Sequence, residues 1–266
     1  MKWFPWFSWI LPLLLAGCAA QGVAPPALQK QAAAASQQAA RASTGQNWRA
    51  AAALWREAAR RHLALDDWTM AGGAQLGQAQ ALRALGQSAE AVALLDGLLR
   101  SDAYPAAIRA EAHYQLALLA SEQGEADAAL VHLDGAQRLA DGKSGLAAAI
   151  ANLRGRLALR GGDASAARRF AAEAISLPGV EPHERANALR LQGRAAMRDK
   201  DWPGARRALD AALVLDRGLA RPGAIAADLK ALAELATASG DPAAASLASR
   251  AAAVCAAAGD MVCRLD

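Results

Sequence analysis

Small apolar residues recur at fixed phase around six turn-like points, Gln46, Gly86, Gly124, Gly162, Lys200 and Gly240, spaced 40, 38, 38, 38 and 40 residues apart. Seven residues before these points stand Ala39, Ala79, Ala117, Gly155, Gly193 and Ala233. Five after them stand Ala51, Ala91, Ala129, Ala167, Ala205 and Ala245, and twelve after them Ala58, Leu98, Ala136, Ala174, Ala212 and Ala252. Nine after, the position is bulkier in four of the six units, as Trp55, Leu95, Leu133 and Leu209. A small residue at one phase on both sides of a turn lets two helices approach closely, because the side chains at the contact set the interaxial distance. The points are followed by Asn47, Gln87, Glu125, Asp163, Asp201 and Asp241, polar or acidic residues suited to opening a helix. Pro105, Gly142, Gly145, Pro178, Pro182 and Pro222 punctuate the gaps between units. No alternating apolar and polar run of strand type interrupts the pattern, which predicts an all-α fold of six helical hairpins.

Composition agrees with this and adds a constraint. Ala fills 76 of 266 positions, and β-branched residues are sparse. Alanine forms helices well but fills little volume, so the core must come from close backbone approach.

The fifth unit, ALRLQGRAAMRDKDWPGARRALDAALVLD, carries Gly193, Trp202, Ala205, Ala212 and the closing pair Leu215 and Asp216. In these positions it resembles the tetratricopeptide repeat, and the third unit, AHYQLALLASEQGEADAALVHLDGAQRL, is similar. The resemblance spans about residues 30–258. It implies a right-handed superhelical solenoid in which each hairpin touches its neighbours and the first helices line a concave face. The period departs from the family's, 38 to 40 residues against about 34. Units two, four and six are also poor in aromatic residues; the extra residues per unit imply longer helices or connections.

The N-terminus carries a different signal. Lys2, an apolar stretch from Trp3 to Leu15, and the small residues Ala16 and Gly17 follow the order of an export signal. The stretch is short of the roughly 20 apolar residues that a bilayer core needs. Leu15, Ala16, Gly17 and Cys18 resemble the lipobox of bacterial lipoproteins, which implies cleavage after Gly17 and acylation of Cys18. Each buried methylene contributes about 0.8 kcal/mol, so the two or three chains of a bacterial lipoprotein anchor it stably. Ala19, where an Asp would favour inner-membrane retention, implies the periplasmic face of the outer membrane. The expected organisation is a signal peptide at 1–17, a lipidated N-terminus and spacer at 18–29, repeats at 30–258 and a tail at 259–266.

Loss of Lys2 takes the formal charge from +4 to about +3, too balanced for a nucleic-acid binder. In an oxidising compartment Cys255 and Cys263 suggest a disulfide. A straight helix would hold them about 12 Å apart, so the helix must stop between them, and Gly259 is placed to stop it. Two unpaired buried thiols remain the alternative.

No catalytic constellation stands out. His62, His113, His132 and His183 lack metal-ligand spacing, and neither a nucleophile elbow nor a phosphate-cradling glycine loop is present. No cofactor or metal is expected. His113 and His132 fall in the two helices of one hairpin and could meet, as packed histidines more readily than catalytic ones. The better candidate is a polar stripe. Ten, six and two residues before the turns of units four and five stand Asn152, Arg156, Arg160 and Arg190, Arg194, Arg198, and unit six adds Lys230 at the first phase. Four residues turn a helix only about 40° past a full turn, so each triplet shares a face. The family resemblance places that face in the groove, where some tetratricopeptide domains clamp a peptide carboxylate with Asn, Lys and Arg. Guanidinium forks pair bidentately with carboxylates or phosphates, and a concave wall of them raises the local potential. A solvated face serving solubility is the alternative, and the doublets Arg168, Arg169 and Arg206, Arg207 read as such a face on the outward helices.

These features point to a non-enzymatic, outer-membrane-anchored scaffold that binds another envelope protein or peptide, one with an acidic or carboxylate-bearing segment, in its groove. A helical-repeat binder of a small anionic ligand such as a cell-wall fragment, or a cell-wall enzyme, are the rival expectations. The soluble form lacking Cys18 should, when unfolded without reductant, show no thiol reactive to Ellman's reagent; two free thiols would remove the expected bridge.

Overall fold

The computed structural model describes residues 26–140 and 145–259. The expectations for the signal peptide, Cys18, Cys263 and most of the C-terminal tail lie outside the described residues. Within them the chain forms twelve α-helices and no strand. They are α1 (Ala27–Thr44), α2 (Trp48–Leu63), α3 (Trp68–Ala84), α4 (Ser88–Leu99), α5 (Ala106–Glu122) and α6 (Ala126–Leu139). The second half contains α7 (Leu146–Arg160), α8 (Ala164–Ser176), α9 (Pro182–Arg198), α10 (Trp202–Gly218), α11 (Pro222–Ser239) and α12 (Ala244–Ala258). Consecutive helices pair along the chain, and each odd-numbered helix also touches the next odd-numbered one. The result is a helical-repeat solenoid of six hairpins, the architecture expected from the repeat.

Every turn inside a hairpin closes in the same way. Gln46, Gly86, Gly124, Gly162, Lys200 and Gly240 all adopt left-handed backbone, with φ between 56° and 88°. The residue after each donates its N–H to the carbonyl five positions back, as from Asn47 to Ala42, Gln87 to Leu82 and Asp201 to Ala196 at 2.9, 2.9 and 3.0 Å. This 6→1 bond satisfies an otherwise unpaired helix-end carbonyl. Glycine reaches this conformation without a Cβ penalty, and four of the six turns use it. Asn47, Asp163 and Asp201 then cap the next helix by accepting from Ala50, Ala166 and Gly204. Gln87 and Glu125 open their helices without a side-chain cap.

The small-residue columns are the hairpin contacts. Ala39, Ala51, Ala58, Ala91, Ala117, Ala129, Ala136, Ala167, Ala174, Ala205 and Ala212 are fully buried. At the bulkier phase Leu95, Leu133 and Leu209 are equally buried, whereas Trp55 is only partly so and lies against Gly77 while its Nε1 donates to Ser43 Oγ at 3.0 Å. The sixth unit departs from the column. Ala245 and Ala252 are exposed, and Leu247 and Ala251 make the contact with α11 instead. The other second helices begin two residues after the turn point, but α12 begins four after it, beyond Pro242, and so meets its partner with a shifted face.

Among the described residues the core is a chain of five clusters. One joins α1, α2 and α3 through Ala35, Ala58, Ala59 and Ala74, and the last joins α9 to α12 around Leu209, Leu213, Leu229, Leu232 and Leu235. Arg168 and Arg206 do not simply face solvent: each forms an ion pair with an acid at the next hairpin's turn, Asp199 and Asp241 respectively. Both pairs are partly exposed, which limits them to about 1 kcal/mol or less.

Close approach sets the sign of two substitutions. A Cβ at Gly193 would lie 2.6 Å from Leu209 Cγ and 3.3 Å from the Ala205 carbonyl oxygen, with Leu209 unable to move aside in the core. Gly193→Ala should lower unfolding free energy by about 1–3 kcal/mol from overpacking, despite the ~1 kcal/mol helix propensity that alanine gains. At exposed Gly73, with nothing within 4 Å, the same change should stabilise, by up to ~1 kcal/mol. Urea unfolding of both variants checks the pair.

Candidate functional site

The first helices of the hairpins form one wall, and a cavity of about 490 Å³ opens in its middle. Its lining comes from α3, α5, α7 and α9, with Arg221 at the start of α11. Asn152, Arg156, Arg160, Arg190 and Arg194 of the expected stripe all meet there. Arg198 and Lys230 are exposed and lie outside the lining.

The arginines divide by what holds them. Arg190 is the most committed. It donates from Nε to Asp228 Oδ1 at 2.6 Å, from Nη1 to Asn187 Oδ1 at 3.1 Å, and from Nη2 to Asp216. Arg221 reaches the same Asp216 through Nη1, at 2.9 Å. Asp216 on α10 and Asp228 on α11 are both fully buried, so two cations and two carboxylates close a network across the last two hairpins. Arg83 pairs with Glu122 at 3.2 Å between α3 and α5. Arg160 binds Ser121, donating to its carbonyl at 2.9 Å and to its hydroxyl, which anchors the guanidinium without neutralising it. Arg156 and Arg194 have no carboxylate partner among the described residues, so they, with Arg160, supply the cavity's uncompensated positive charge.

Burial pushes Asp228 up from 3.8 to about 6; Arg190 opposes the shift and Asp216 adds to it. A carboxyl raised in this way binds a proton in the folded chain between those values that the unfolded chain has released. Its contribution to stability therefore falls as pH rises from about 4 to about 6.

A second group forms the other end of the cavity. Glu184 on α9 is buried; its Oε2 accepts from Asn152 Nδ2 at 2.7 Å and Asn187 Nδ2 at 3.3 Å. Asn152 Nδ2 also donates to the Glu184 carbonyl, at 2.9 Å. Burial raises the Tyr114 hydroxyl well above its ordinary pKa, and Glu184 raises it further. Glu111 is likewise raised, first by burial, with Gln115 opposing and Glu184 adding.

Three of the four histidines sit elsewhere, while His183 stands beside Glu184 at 3.4 Å. His113 and His132 meet between α5 and α6 with their Nδ1 atoms 3.1 Å apart, and Gly135 leaves room for the His113 ring. Burial lowers both pKa values, and His132 lowers that of His113 further. His62 is buried with Ser36 Oγ 3.1 Å from its Nε2. Among the described residues no group of three or more His, Cys, Asp or Glu is placed to hold a metal ion. No described helix is long and apolar enough to cross a membrane.

Tyr114 stands at the stripe's first phase in unit three, ten residues before Gly124, where an aromatic residue does not extend a row of cations; Arg83, Ser121, Glu184 and Arg221 lie off that phase. Asp216 and Asp228 did carry a signal of their own. Each occupies a core position, Asp216 with Leu209, Ala212 and Leu213, and Asp228 with Ala224 and Leu232. An acid in an apolar stripe requires a buried partner.

No protein-family model matches the chain, and no curated protein matches it in sequence. The crystal structure of BtubC (BKLC) from P. vanneervenii is similar over 88% of this chain and 92% of that one, at 19% identity and a TM-score of 0.59. The TPR2AB-domain:pHSP90 complex of yeast Sti1 aligns with 84% of this chain and 99% of that one, at 12% identity and a TM-score of 0.37. The first likeness shows the fold. The chain is a helical-repeat solenoid.

Arg190 and Arg194 should therefore respond differently to the same change. Arg190→Gln leaves two buried carboxylates short of a cation and should cost about 3–5 kcal/mol, whereas exposed Arg194→Gln should stay within about 0.5 kcal/mol. In the same urea assay, the wild-type value minus that of Asp228→Asn should fall between pH 4 and pH 6.

Proposed function

We propose that the protein is a lipid-anchored scaffold at the periplasmic face of the outer membrane, whose basic groove holds an acidic or carboxylate-bearing segment of another envelope protein. The architecture suits this role, because stacked repeats present an extended concave surface and are used for protein–protein interaction. One observation carries the reading: Arg156, Arg160 and Arg194 converge on a cavity without carboxylate partners, while the neighbouring Arg190 and Arg221 are neutralised from behind. A wall of this kind attracts anions over about a Debye length and pairs with them by charge-assisted hydrogen bonds. Attachment rests on Cys18, through the lipobox resemblance, with the stretch up to α1 as spacer. The cavity's size, about 490 Å³, also falls in the range of small-ligand sites, which supports a small anionic ligand as the second reading.

A crosslinking pull-down from envelopes tests the groove. Wild type should capture a specific protein that an Arg156→Glu, Arg160→Glu, Arg194→Glu variant, shown folded by circular dichroism, does not. An unchanged set of captured proteins would leave these arginines as ordinary surface. For the anchor, mature protein with Cys18→Ser should leave the membrane fraction after a high-salt wash, and retention would refute lipid attachment.

A further inference from the structure

A purely basic groove does not account for the other end of the cavity. Glu184 is buried there with amides, Asn152 and Asn187, rather than a guanidinium against its Oε2. His183, largely exposed, lies 3.4 Å from the other carboxylate oxygen. Asn152 is 5% exposed and lines the cavity. Its Nδ2 donates both to the carbonyl and to the carboxylate of Glu184, which fixes the orientation of the amide. Its Oδ1 is consequently a buried acceptor with no donor. A buried acceptor left unpaired carries a desolvation cost that a ligand donor would recover. Glu111 on α5 lies near enough for Glu184 to disfavour its ionisation, but it lines the neighbouring cavity of α5 to α7 rather than this one. Tyr114, which lines the cavity, feels both signs, Glu184 and Glu111 disfavouring its ionisation and Arg156 and Arg83 favouring it.

We infer that the cavity takes a dipolar group, with a carboxylate at Arg156, Arg160 and Arg194 and an ammonium beside it at Asn152 Oδ1 and Glu184. This rests on the groove reading above and narrows it. A purely anionic ligand would satisfy the arginines but leave Asn152 Oδ1 unpaired and bring negative charge towards Glu184. A purely cationic ligand would meet the arginines. Only a ligand with both charges side by side satisfies both ends, such as adjacent acidic and lysine residues of a partner segment. A free amino acid has the same chemistry.

Three capped tetrapeptides with Glu-Lys, Glu-Gln or Gln-Lys at their central positions test this, titrated at millimolar concentration into the folded chain and followed by NMR. Glu-Lys should bind about tenfold more tightly than Glu-Gln, the scale of one charge-assisted contact. Glu184→Gln should abolish that difference, and Arg194→Gln should weaken Glu-Lys and Glu-Gln alike, with circular dichroism showing both variants folded. Equal binding of Glu-Lys and Glu-Gln, both weakened by Arg194→Gln, would overturn the dipolar site and leave the basic groove standing. Binding of none of the three, or binding indifferent to Arg194→Gln, would overturn both. Free L-glutamate binding as tightly as the Glu-Lys peptide would support the dipolar site and assign it to a small zwitterion.

Discussion

Everything in this molecule depends on how closely two helices can lie when the residues between them are nearly all alanine or glycine. Large side chains fill space and hold helices apart; here the backbones themselves supply much of the contact surface, and the buried positions tolerate no added methyl where Gly193 meets Leu209. The left-handed turn at constant phase serves the same end. By reversing the chain in a few residues and tying off the helix-end carbonyl, it delivers the second helix at a repeated angle against the first. Regular pairing then carries the odd-numbered helices onto one wall.

On that wall charge is managed by depth. The innermost guanidinium, Arg190, is spent on buried acids from α10 and α11 and so ties the fifth hairpin to the sixth rather than serving a ligand. Its outer neighbours keep their charge. Nearly identical arginines thus divide into structural and available groups according to whether a carboxylate stands behind them, and Glu184 makes the remaining surface two-signed.

The repeat was legible because it is local. A turn residue, the small residues on either side and the helix cap lie within about twenty positions, and the physics linking them needs no knowledge of distant chain. The stripe was legible for the same reason, since phase alone puts Asn152, Arg156 and Arg160 on one face. The commitment of Arg190 was not, because Asp216 and Asp228 lie 26 and 38 residues away and reach it only once three helices have stacked. The shifted face of α12 was also hidden: Ala245 fits the column by count, and only the late start after Pro242 turns it outward. Tyr114 shares the phase of Asn152 and Arg190 but carries no charge to mark it, and Glu184 lies at no phase of the stripe.

The division of the core into five neighbouring clusters has a consequence for how the chain reaches this shape. Each cluster draws on three or four consecutive helices, so among the described residues no contact requires α1 to find α12, and closing each loop costs little entropy. Assembly can begin at whichever hairpin forms first and spread in both directions, and the terminal helices, with a neighbour on one side only, can open while the groove between them stays intact.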